Sequence, residues 1–139
     1  MKTETNDPDR CEMFMLSQDE LNGLAPAPQH PQPIGTHLSA FKSYLAHAEL
    51  IVELICRVLS TSLGLPPSTF FERHNLASKS GTLIRLIKYP PAASAADRRT
   101  SLVLHTDMGT ITLLVGILGG LQILRPSVSG DKSGKEVWE

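Results

Sequence analysis

The sequence predicts an α+β fold in which one long helix precedes a series of short strands. Two observations lead there. Leu38, Phe41, Leu45, Ala48, Val52, Ile55, Leu59 and then Ser62 or Leu63 recur at alternating steps of three and four, one continuous apolar stripe at the helical period. Beyond Gly81 the pattern changes: TLIRLIKY, LVLHT, TITLLVG and GLQILR are short apolar, β-branched runs punctuated by Gly109, Gly116, Gly119 and Gly120. Strands of that kind head towards a sandwich or barrel.

A chain of 139 residues makes one domain with room for a core that needs no disulfide. Its 13 basic and 14 acidic residues leave a net charge of −1, so no overall field draws it to nucleic acid or to an anionic membrane surface, and neither partner is expected. Cys11 and Cys56 lie far apart, and Cys56 falls within the helical stripe, where a small buried thiol is the ordinary reading. A reducing, cytoplasmic setting follows. The opening MKTETNDPDR has no apolar leader core, and no run approaches the ~18–20 apolar residues that cross a bilayer.

Taken in order, residues 1–35 read as an N-terminal extended or linker segment, and residues 36–139 as the domain. In APAPQHPQPIG, Pro26, Pro28, Pro31 and Pro33 block helix and remove ladder donors. The earlier EMFMLSQDEL suits either a short helix after Ser17 or an apolar strip beneath the domain, and the pattern does not choose. Thr36 is placed to cap the long helix; Gly64, followed by Pro66 and Pro67, stops it. At 1.5 Å per residue the helix spans roughly 40 Å, so it should lie against something large and apolar. Thr69 and Glu72 have capping-box spacing, which predicts a short helix pinned by Phe70 and Phe71, with His74 as a polar group near its end. Residues 82–89 read as a strand that Pro90 and Pro91 end, and PPAASAADRRT as a loop whose Arg98 and Arg99 suit an acidic substrate or, as loop charges more often do, plain solvation, and stay unassigned.

The chemistry concentrates at His105 and Asp107. In an extended chain alternate side chains share a face, so this pair points one way and Thr106 the other. A His-X-carboxylate pair with a distant second histidine makes the 2-His-1-carboxylate triad of non-haem Fe(II). Taken alone, the same two residues suit a strand-end histidine and a turn aspartate, and Tyr89 suits a packing tyrosine.

A wider context bears on these readings. LIRLIKYP, a loop, HTDMGTITLL, GGLQIL and a tryptophan after a polar loop together resemble the isopenicillin-N-synthase-like group of Fe(II)/2-oxoglutarate-dependent dioxygenases. The helix ending LGLPPSTFFERH is similar to the group's helix behind its barrel, so the resemblance covers roughly residues 36–138. It implies a partial double-stranded β-helix, or jelly roll, with a long supporting helix. His105 and Asp107 would be two iron ligands, and Tyr89 would help to hold the far carboxylate of the co-substrate 2-oxoglutarate. Ile87 stands where the group often has an asparagine, which removes one polar contact to that co-substrate. Gly119, Gly120, Leu121 and Gln122 match an architectural strand.

The group's second histidine and its Arg-x-Ser pair follow the tryptophan strand, whereas this sequence ends at Glu139, one residue past Trp138. His30, His37, His47 and His74 all precede the motif. The resemblance therefore implies the front half of an oxidoreductase that uses O2 and 2-oxoglutarate to hydroxylate or desaturate a small molecule, truncated and inactive by itself. A rival reading is a non-catalytic scaffold remnant that acts as an interaction protein, self-associating through open strand edges. A third completes the metal site across a dimer with His74 or His30.

Overall fold

The structure is a computed structural model that describes residues 11–92, 94, 102, 105–116 and 120–124. Its order is strand β1 (Glu12–Ser17), helix α1 (Gln18–Leu21), helix α2 (Gln32–Gly35), helix α3 (Leu38–Ser62), a 3-10 turn (Phe71–Arg73) and strand β2 (Leu83–Lys88). The predicted mixture of helix and strand is present, with the sheet reduced among the described residues to the antiparallel pair β1–β2.

The apolar strip EMFMLSQDEL resolves into both alternatives at once. Its first half is β1, and Ser17 caps α1 by accepting a hydrogen bond from the Glu20 N–H at 3.1 Å. Leu16 and Leu21 then meet Leu45 of α3 in a small core, with Phe14, Ile34, Leu38, Phe41, Leu76 and Ile84 packed round it. The segment 75–82 is fastened to α1. Gln18 donates through Nε2 to the carbonyls of Asn75 and Ser78, each at 3.2 Å, and Asp19 accepts from the Ser80 N–H at 3.0 Å. Those bonds deliver β2 to β1.

The proline tract does admit a helix. Pro33 lies in the first turn of α2, where a missing N–H costs nothing. This moves the start of α3: Thr36 closes α2 and its hydroxyl donates to the Gln32 carbonyl at 2.8 Å, so His37, without a capping side-chain bond, precedes α3. The far end is as expected. Gly64 has φ +71°, the Leu65 N–H donates to the Ser60 carbonyl at 2.9 Å, and the Gly64 N–H donates to the Thr61 carbonyl at 3.0 Å. These two bonds form a Schellman closure. A Cβ added at Gly64 would meet nothing within 4 Å, so the penalty there is backbone alone. Gly64→Ala is expected to lose about 1–2 kcal/mol, read as a lower thermal midpoint; an unchanged midpoint would refute it.

The apolar stripe of α3 drifts from its expected line. Leu45 is buried and Val52 and Ile55 are half-buried, but farther along it is Cys56 and Ser60 that are buried, while Leu59 and Leu63 are exposed. The 3-10 turn causes this by packing on α3 and bringing the Phe70 N–H to the Ser60 hydroxyl at 3.4 Å. Cys56 is the buried thiol foreseen, and burial pushes its pKa up. The large apolar cover expected for α3 is partial, since Leu50, Leu54 and Val58 are exposed.

The capping box at Thr69 does not form. The Thr69 hydroxyl donates to the Pro66 carbonyl at 2.8 Å and Glu72 accepts instead from the Ser68 hydroxyl at 2.6 Å, so the short helix tightens to one 3-10 turn. The strand at 82–89 is found as β2, antiparallel to β1, with Glu12 opposite Lys88 and Ser17 opposite Leu83. The later runs differ. Residues 105–116 and 120–124 carry no strand apart from an isolated bridge at Leu124, because a strand exists only where a partner closes its ladder and none does so among the described residues. Arg98, Arg99 and Trp138 lie outside the described residues. No helix among those described is long and apolar enough to cross a membrane.

Candidate metal and co-substrate site

His105 and Asp107 are brought together. His105 Nε2 lies 3.3 Å from Asp107 Oδ1, with side chains 40% and 45% exposed. Two donors each about 2.1 Å from a metal at adjacent octahedral corners lie roughly 3 Å apart, so this pair has the spacing of neighbouring ligands. A neutral imidazole and a carboxylate are also the donor types that a non-haem Fe(II) site takes. Among the described residues no third His, Cys, Asp or Glu gathers with them.

The electrostatics keep the carboxylate ready. A hydrogen bond from the Thr112 side chain does most to hold the Asp107 pKa below its ordinary value; slight desolvation opposes it, and His105 and the Arg85 charge reinforce it. Thr112 and Arg85 escaped the pattern reading. Thr112 could have been marked, since it lies inside HTDMGTIT; Arg85, on β2, comes near Asp107 only through tertiary structure. Met108 is fully exposed and Gly109 has φ +128°, a backbone turn that L side chains rarely adopt, directly after the aspartate.

Tyr89 follows β2 and is half-exposed. Burial first, and the neighbouring Cys11 thiol second, push its hydroxyl pKa up, so it stays a phenol that can donate. No other histidine among the described residues gathers with this pair. His74 closes the 3-10 turn, its backbone N–H donating to the Phe71 carbonyl at 2.8 Å. His30 has a side chain only 7% exposed, edge-on to Phe14 and 3.8 Å from Glu20, which denies it the reach to a second chain's metal. Thr112 also lines, with Leu113, Leu114, Val115, Tyr44, Ala48 and Ile51, a cleft of about 270 Å³ between α3 and the segment after Asp107.

A histidine and a carboxylate at this spacing form a candidate ligand pair, and the sequence has named relatives. Over 120 residues the chain is 31% identical to the 2-oxoglutarate-dependent dioxygenase ecdG of Aspergillus rugulosus, covering 84% of this chain and 34% of that protein. It is 30% identical over 122 residues to the 2-oxoglutarate-dependent dioxygenase frbH of Dothideomycetidae sp. (strain 11243), covering 84% and 36%. Against the 2-oxoglutarate-dependent dioxygenase iboH of Amanita muscaria it is 32% identical over 97 residues, 69% of this chain and 46% of that one. Over most of its length the chain is thus similar to proteins named 2-oxoglutarate-dependent dioxygenases. It spans about a third of the length of the first of these curated relatives. No family model and no solved structure matches it.

Proposed function

We propose that this chain carries part of the iron and co-substrate site of an Fe(II)- and 2-oxoglutarate-dependent oxidoreductase of the isopenicillin-N-synthase-like group, acting on a small molecule by hydroxylation or desaturation. The 3.3 Å approach of His105 Nε2 to Asp107 Oδ1 carries this reading. His105 and Asp107 would hold Fe(II). Thr112, which hydrogen-bonds the Asp107 carboxylate, would steady it as groups behind metal ligands do. Tyr89, protonated, would donate to the far carboxylate of 2-oxoglutarate. When bound, the iron supplies O2 activation coupled to decarboxylation of 2-oxoglutarate to succinate and CO2. The jelly roll of the group would be the setting in which these side chains line one interior, and dioxygenase relatives support that architecture.

The test is the absorption band of an Fe(II)–2-oxoglutarate complex, followed on adding both to the chain under anaerobic conditions. The expected result is a band that needs both Fe(II) and 2-oxoglutarate and that His105→Ala removes. A band unchanged in His105→Ala, or none with the parent chain, would refute the reading for this chain.

A further inference from the structure

The register of the hairpin sorts its side chains onto two faces. Phe14, Leu16 and Ile84 point to the core. The other face carries Met13 opposite Ile87 and Met15 opposite Arg85. Continued by one pair, the register sets Cys11 opposite Tyr89, in keeping with the effect of the Cys11 thiol on the Tyr89 hydroxyl. The face is open, with Met13 44% and Met15 56% exposed. Methionine is unbranched and polarisable, and surfaces that bind varied apolar molecules favour it.

Arg85 gives this face its charge. Among the described residues it makes no ion pair, and the acid that feels its charge is Asp107. An apolar wall with one guanidinium, whose charge reaches a candidate metal ligand, has a specific complement.

We propose that the face formed by Met13, Met15 and Arg85 binds a small molecule with an apolar body and a carboxylate, and that this molecule is the substrate. Its body lies over the two methionines and its carboxylate is held by the two-pronged guanidinium. Calling it the substrate rests on the dioxygenase reading; the binding itself does not. A neutral ligand would cover the guanidinium and leave it without a partner, which disfavours it. The co-substrate 2-oxoglutarate also bears carboxylates, so the test must separate the two sources.

The test follows the ¹³C-methyl signals of Met13 and Met15 by NMR in the full chain, without metal, during titration with octanoate, 1-octanol and 2-oxoglutarate. Octanoate is expected to shift both methyls and to bind at least about tenfold more tightly than 1-octanol, the size of one charge-assisted contact. Arg85→Gln should erase that difference and Arg85→Lys restore part of it, with the core signals of Leu16 and Leu45 unmoved as the folding control. Equal binding of octanoate and 1-octanol, or no effect of Arg85→Gln, would overturn the proposal. So would 2-oxoglutarate that competes with octanoate and shows the greater loss in Arg85→Gln, since the anchor would then serve the co-substrate. Absence of the Fe(II)–2-oxoglutarate band, by contrast, sinks the dioxygenase reading and leaves this binding result standing.

Discussion

Leu16→Ala is expected to cost about 2–5 kcal/mol, the range for removing a large aliphatic side chain from a tight interior. Leu16 has no exposed surface and belongs to both layers of the fold, since it sits on β1 and packs with Leu21 of α1 and Leu45 of α3. The core it belongs to is small, so neighbouring side chains can do little to close the void. A domain with a total stability of about 5–15 kcal/mol would lose a large share of it. The measurement is a urea midpoint, compared with Leu50→Ala on the exposed side of α3, for which little change is expected. Equal shifts for the two variants would mean that the core is not where the contacts place it.

Asp107→Ala is expected to abolish divalent-metal binding at this site, and Thr112→Val to weaken it about 10–100-fold, the usual loss when a group that hydrogen-bonds a metal ligand is removed. The two effects would differ because on the proposed reading Asp107 offers the donor oxygen, whereas Thr112 only hydrogen-bonds the carboxylate. Mn²⁺ serves as the probe: its paramagnetism broadens the His105 ring signals, and a titration gives the affinity. Broadening of His105 that persists in Asp107→Ala would show that the pair does not act together. Thr112→Ser should retain the hydroxyl and most of the affinity, which separates the hydrogen bond from packing of the methyl group.

How much of this was legible in the residues varies with the range of the interaction. The end of α3 was legible because Gly64, Pro66 and Pro67 act within one turn. The closeness of His105 to Asp107 was legible for the same reason, since only two peptide units separate them. β1 was hidden because Met13 and Met15 on its open face are as apolar as Phe14 and Leu16 on its core face, so the alternation that marks a half-buried strand is missing. Thr36 and Thr69 were read as caps because their neighbours have the right spacing, yet each hydroxyl donates to a carbonyl behind it, at Gln32 and Pro66. The strands expected after residue 101 rest on apolar, β-branched composition alone, and composition does not supply a pairing partner. Arg85 was out of reach altogether, since its approach to Asp107 depends on tertiary structure.

The pairing of β1 with β2 also sets a clock for the chain. Lys88 and Glu12 meet across 76 positions, while α3 closes every bond within a turn of itself. Local helix forms in about a microsecond or less, but a ladder between distant segments must first meet the entropy of a long closure. α3 can therefore stand before the hairpin does, and the face that carries Arg85 and Tyr89 comes into being only with the last contacts to form. Competence to bind would then lag behind helicity during refolding, a delay that circular dichroism and ligand fluorescence would record as two separate times.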